Sequence, residues 1–272
     1  MLNAEQKNQY RDQGFLVLPN FKRDVELQKL RQRANEIVDE FDADRHRTIF
    51  TTDKQLDHVD QYFLDSAHGV SCFFEEGAFD VNGNLQVDKS LSINKIGHAM
   101  HRLDDVFAMF SNDAAITELA HDLGLVRPRI WQSMYIFKQP GIGGAVDWHQ
   151  DASFFYTDPI TVTTFWFALE EATEDNGCLR VERGGHTGPL RERFRRIGDR
   201  VSLDRVDPTP WSSVEDSVSL PVRAGTLVCF HGRLPHYSEV NRSPQSRHAY
   251  TLHITCETSR YSDKNWIQAF GP

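Results

Sequence analysis

The 272-residue chain has little cysteine. Cys72, Cys178, Cys229 and Cys256 stand far apart and form no C-x-x-C pair. A disulfide framework or a structural zinc knuckle is therefore not expected, and idle thiols in a reducing compartment are. No apolar run approaches the 18 residues of a membrane span, so no membrane partner is expected. The N-terminal stretch MLNAEQKNQYRDQ lacks the apolar segment of a secretory leader, and QAFGP is not a peroxisomal S-K-L address. A cytoplasmic location is the expectation that follows. Positive charge is also short, with 30 Lys and Arg against 39 Asp and Glu and a formal charge of −9. Phosphate binding needs a basic face, so nucleic acid is not an expected partner. No Gly/Ser-rich linker and no internal repeat breaks the chain, which reads as one domain over residues 1–272.

What is present changes texture along the chain. Asn3 and Gly14 bracket a short helix, and FLVLPNF is strand-like up to Pro19. From Asp24 to Asp42, Leu30, Ala34, Ile37 and Phe41 recur at helical spacing among charges. DAAITELAHDLG reads as a further helix, with Ser111 or Asn112 near its start and Gly124 at its end. Beyond Gly124, RIWQSMYIFKQP, VTTFWFALEEA, GCLRVERGG, GTLVCFHG and HAYTLHITCE are short and rich in β-branched and aromatic residues. That is the pattern of an all-β barrel or sandwich. The expected layout is a helical part over about 1–90 and a β core over about 90–272. The charged, turn-rich stretch 191–216 is expected outside the core, as a lid or a solvated insertion.

Two His-x-Asp pairs stand out among 12 histidines. Residues i and i+2 of a strand share a face, roughly 6.5–7 Å apart; on a helix they diverge by about 200°. His58 and Asp60 lie in TDKQLDHVDQYF, which has no β character and reads as solvated surface. His149 and Asp151 follow a Gly turn in GGAVDWHQDASFFYTDP, where the β texture is strongest. A non-haem Fe(II) site takes two His and one carboxylate on one face of the ion and leaves three positions open. GTLVCFHGRLPHYSEVNRSPQSRHAYTLH offers His231 and His236 as the remaining ligand. It also supplies Arg247, whose fork binds a carboxylate bidentately.

These stretches, with GFLVLPNF, SLSINKIGHAMH, QSMYIFKQPGIGG and EEATEDNGCL, resemble the phytanoyl-CoA dioxygenase family of Fe(II)/2-oxoglutarate oxygenases over nearly the whole chain. The resemblance implies a mainly β fold, a double-stranded β-helix (jelly-roll, cupin-like) core with N-terminal helices packed on it. It implies iron ligands at His149, Asp151 and His236, leaving His231 a structural or supporting part. It also implies 2-oxoglutarate contacts at Lys95, Met134, Trp166, Ser238 and Arg247. From the residues alone, Met134 fits core packing equally well, Trp166 in TTFWFAL reads first as core, and Lys95 could pair with an ordinary Asp or Glu. Ser238 would share the face of His236 on a continuous strand. One turn departs from the family pattern: Arg183, Gly184 and Gly185 stand before His186 where many members carry P-G-S.

The implied activity is hydroxylation of a C–H bond of a small organic substrate, with release of succinate and CO2. Its cofactors would be Fe(II), 2-oxoglutarate as cosubstrate and O2, with ascorbate sustaining activity. Asp151 favours hydroxylation over the halogenation of relatives that lack this carboxylate. The alternative from another class is a catalytically silent, cupin-like metal-binding scaffold or sensor. An acyl-CoA, amino-acid-like or natural-product substrate would each be compatible. RERFRR and RHR are the candidate phosphate contacts or, equally, solvated surface. Trp148, Phe154, Phe155, Tyr156, Gln132 and Phe137 flank the site as candidate substrate wall.

Overall fold

The computed structural model describes residues 1–50, 61–198 and 200–270. Two antiparallel sheets face each other. The large one runs, edge to edge, through Phe15–Leu18, Leu227–His231, Thr163–Ala168, Ala249–Cys256, Pro128–Ile136, Ile93–His98 and Val70–Phe74. The small one runs through Val218–Leu220, Leu179–Val181, His236–Ser238 and Val146–His149. This is the cupin-like double-stranded β-helix. Period-two alternation sorts the side chains of its central strands. Phe165, Phe167, Tyr250 and Leu252 point outward, under the helices. Trp166, Ala168 and Ala249 point inward, against Leu179 and Val181 of the small sheet. Because both faces are covered, every residue of Thr163–Ala168 and Ala249–Cys256 is buried.

The helices form as their sequences require. Asn3 caps Ala4–Gln13 in a reciprocal capping box with Gln6, and Gly14 closes it at φ 83°. Asp24–Glu40 buries Leu27, Leu30, Ala34, Ile37 and Val38 on one stripe. Phe41 ends that helix in extended conformation and packs against the same core. The helix Ala114–Asp122 is capped by Asp113, one residue beyond the expected caps.

The first third is less helical than its texture suggests. Phe15–Leu18 and Val70–Phe74 are the two edge strands of the large sheet, so the β core begins well before residue 90. VSCFF escapes a periodicity reading because Cys72 and Phe74 are buried on one face and Phe73 on the other, which erases polar alternation. The excursion after Pro189 is a β-hairpin, Glu192–Ile197 paired with Arg200–Arg205. Its Phe194 is fully buried, with its ring 5.6 Å from that of Phe154. Among the described residues, no helix is long and apolar enough to cross a membrane.

Candidate metal centre and its cavity

His149 closes the strand Val146–His149, and His236 opens His236–Ser238 directly opposite it. Cross-strand pairing brings the two rings to a centroid distance of 4.0 Å. Gln150 is extended, at φ −128° and ψ 127°. Its side chain turns away to donate to the Pro189 and Arg233 carbonyls. Asp151 therefore returns to the face of His149, although it opens a 3-10 turn, Asp151–Ser153, and has left the strand. The i, i+2 relation inferred for a strand survives through one extended residue.

The ring tautomers are set by the backbone. His149 Nδ1 donates to the Asp147 carbonyl at 2.8 Å and His236 Nδ1 to the Leu234 carbonyl at 3.0 Å. Each Nε2 is left with a lone pair aimed at Asp151, and outer contacts of this kind fix a metal ligand's orientation. His149 Nε2 and His236 Nε2 lie 3.7 and 3.8 Å from Asp151 Oδ1. Two donors each about 2.1 Å from one ion stand at most about 4.2 Å apart, so both distances suit a shared ion. Packed surroundings, and then the His236 ring, push His149 down to about 3, leaving it in the neutral form that ligates. Burial alone would raise the Asp151 carboxyl, but His236, His253 and His149 around it hold it well below the usual carboxylate range.

Two residues that sequence reasoning missed support this carboxylate. The Thr164 hydroxyl donates to Asp151 Oδ2, and His253 Nε2 faces Oδ1 at 3.5 Å. Both were within reach of the period-two rule. Thr164 stands two before Trp166, and His253 six after Arg247, on the same inward faces. Thr164→Val should lower Fe(II) affinity by about 10- to 100-fold, the usual effect of removing an outer partner of a ligand. Anaerobic metal titration measures it, and unchanged affinity would show the hydroxyl to be idle.

A cavity of about 180 Å³ opens beside these three side chains. Lys95, Met134, Trp166, Ser238 and Arg247 all border it. Arg247 is only 2 % exposed. One of its nitrogens, Nη2, donates to Ser238 Oγ at 3.2 Å, while Nε and Nη1 are buried without a partner. Its guanidinium lies 5.3 Å from the Trp166 ring centre. Among the described residues no carboxylate comes within ion-pair distance of it, and burial pushes it down to about 10. Lys95 is buried over the Phe50 ring at 3.1 Å, with Met134 Sδ at 4.0 Å. Lys138, absent from the sequence reading, is a third buried cation there, bonded to the Gly144 carbonyl at 2.6 Å. Glu75 is the acid facing them, with Oε1 unpartnered.

The other expected residues divide. Gln132, Trp148, Phe154 and Phe155 border the cavity. Phe137 does not; it packs on Tyr135 in the helix-side core. Tyr156 faces Arg193, 3.7 Å from its ring centre. His231 accepts from the Arg233 N–H and sits 5.6 Å from the His186 ring, away from the cavity. The divergent turn is part of the same structural corner. Gly184 N–H donates to the Gln13 carbonyl and His186 Nε2 to that of Arg11. A side chain at Gly14 would run into His186, 2.4 Å from its Nδ1. His58 and Asp60 lie outside the described residues.

The sequence has clear relatives. A profile of the phytanoyl-CoA dioxygenase (PhyH) family matches residues 10–249. A protein of Arabidopsis thaliana called phytanoyl-CoA dioxygenase is 44 % identical over 98 % of this chain and 94 % of its own length. Phytanoyl-CoA dioxygenase domain-containing protein 1 of Mus musculus is 42 % identical over 98 % and 95 %. Among solved structures, EctD from S. alaskensis with 2-oxoglutarate and 5-hydroxyectoine superposes with a TM-score of 0.66 at 22 % identity. That match covers 96 % of this chain and 78 % of EctD.

Proposed function

The chain belongs to the phytanoyl-CoA dioxygenase family and is a dioxygenase; we propose that it uses Fe(II), 2-oxoglutarate and O2 to hydroxylate a C–H bond of a small organic substrate. The observation that carries this reading is Arg247. A buried guanidinium with two unpaired nitrogens and no carboxylate partner among the described residues is costly unless a ligand completes it. Lys95 and Lys138 beside it are amines whose charged forms burial disfavours and a bound anion would restore. A compact dianion such as 2-oxoglutarate fits such a site.

The donor set fits iron as well. Two imidazoles and one carboxylate bring their donor atoms within 4.8 Å of one another, and all three border the cavity. His149, Asp151 and His236 would hold Fe(II). Arg247, helped by Ser238 and Lys95, would take the far carboxylate of 2-oxoglutarate, with Met134 and Trp166 against its carbon chain. When bound, iron would activate O2, and oxidation of 2-oxoglutarate to succinate and CO2 would supply the two electrons that accompany transfer of one oxygen atom to the substrate C–H. The protein's own residues hold and orient. The Asp147 and Leu234 carbonyls lock both imidazoles, Thr164 and His253 hold the carboxylate, and Trp166 shields the Arg247 guanidinium from water. Succinate release on adding Fe(II), 2-oxoglutarate and ascorbate tests the proposal. Absence of both turnover and 2-oxoglutarate binding would leave the scaffold reading in its place.

A pH dependence follows from Lys95. Burial, only partly offset by Glu75, pushes its ammonium down to about 7. A carboxylate bound beside it favours the charged form, so 2-oxoglutarate binding takes up a proton wherever the free protein holds Lys95 neutral. By linkage, affinity is then constant below about pH 7 and falls above it, by at most about tenfold per pH unit. Calorimetric titrations between pH 6 and 9 should show that fall in the native protein and a flat profile in Lys95→Met. An affinity that rises with pH would contradict the assignment.

A further inference from the structure

The cavity has a second polar cluster, which a dianion at the Arg247 end leaves unused. Strand register orders the lining. Ile136 pairs with Lys95 and Ala249, two residues from Arg247. Gln132 pairs with His253, and His253 with Thr164, the residue that bonds Asp151. Gln132 therefore belongs to the metal layer, four strand residues or roughly 13 Å from the cationic layer.

Gln132 is 4 % exposed, and its amide makes no hydrogen bond among the described residues. His98 borders the same cavity and is 1 % exposed. It pairs with Ser133, the residue after Gln132. Its Nδ1 lies 2.9 Å from Ser66 Oγ, whose own proton goes to the Phe63 carbonyl at 2.6 Å. The ring must therefore donate through Nδ1, and His98 Nε2 remains an acceptor without a partner. Both polar ends border the cavity, where a ligand can complete them. Around these two the wall is mostly carbon, from Phe63, Phe155, Phe194, Leu203 and Trp266, and the Glu192 carboxylate that also borders it is engaged by Arg205.

We propose that this end is the substrate subsite, built for an uncharged, largely apolar molecule that carries a hydroxyl. The hydroxyl donates to His98 Nε2 and accepts from the Gln132 amide, while the apolar body fills the aromatic wall. The inference rests on the oxygenase reading above. A carboxylate cannot donate to His98, an ammonium cannot accept from Gln132, and a hydrocarbon leaves both unpaired. A CoA ester would need free basic groups for its phosphates, and three arginines nearest the wall are already engaged. In the hairpin that forms the wall, Arg195 is paired with Asp204 and Arg205 with Glu192, and Arg193 is held by Ser262 and Tyr156.

The test uses the full chain with Fe(II) and 2-oxoglutarate under anaerobic conditions. It is titrated with benzyl alcohol, toluene, benzoate and butanoyl-CoA, followed by tryptophan fluorescence and saturation-transfer NMR. Benzyl alcohol should bind about tenfold more tightly than toluene or benzoate, as one or two hydrogen bonds would give. Gln132→Met and His98→Phe, each checked by its melting temperature, should remove that preference while toluene still binds. The proposal is overturned if benzoate or butanoyl-CoA binds better than the alcohol, if the native protein shows no alcohol preference, or if both variants keep it. 2-Oxoglutarate is titrated first on the same sample. Failure there removes the oxygenase reading itself, whereas normal binding without alcohol preference removes only the subsite.

Discussion

Asp151→Ala should abolish conversion of 2-oxoglutarate to succinate and cut Fe(II) affinity by well over the roughly 100-fold that marks the upper range for losing an outer-shell partner. The carboxylate is the common neighbour of His149, His236 and His253, at 3.7, 3.8 and 3.5 Å. Without it two imidazoles remain, and neither brings negative charge to a divalent cation. Thr164 would be left with a buried hydroxyl facing nothing. Asp60→Ala, in the other His-x-Asp pair, should leave turnover and metal content at the native level. Anaerobic metal analysis and a succinate assay on the two variants side by side decide the matter. Equal effects would refute the argument that preferred one pair over the other.

His149-x-Asp151 is legible in the sequence through its strand-like setting and a downstream His236, and the three side chains do meet. Arg247, Ser238, Lys95, Met134 and Trp166 border the same cavity. What stayed hidden depends on contacts between distant segments. Thr164 and His253 look like ordinary residues of buried strands until register places them beside Asp151. Lys138 and Glu75 are 63 residues apart and meet only through the Gly144 segment. VSCFF was concealed for a different reason, since a strand buried on both faces carries no alternation to read. The excursion 191–216 looked solvated because its arginines are many. In the fold several of them are tied to acids or rings, and the hairpin offers the cavity Phe194, Leu203 and the Arg205-paired Glu192.

Arg247→Met should move two measurements in opposite directions. Truncating one partner of a buried charge pair costs about 2–5 kcal/mol, so affinity for 2-oxoglutarate should fall by roughly 30-fold to several thousand-fold. Without cosubstrate the sign reverses. The native protein then buries a guanidinium with unpaired Nε and Nη1; replacing even paired buried ions by well-packed apolar residues is often neutral or stabilising by about 1–4 kcal/mol, and an ion without its partner has less to lose. The ligand-free variant should therefore melt higher, by about 2–4 °C for each kcal/mol in a chain of this size. Adding 2-oxoglutarate should raise the melting temperature of the native protein and leave that of the variant in place. Arg247→Lys separates charge from geometry: it restores one positive group but not the fork that meets a carboxylate with two parallel bonds. It should recover only part of the affinity. If instead Arg247→Met lowers the ligand-free melting temperature and leaves 2-oxoglutarate binding untouched, the guanidinium is a structural group satisfied within the protein, and the cationic end of the cavity is not the cosubstrate site.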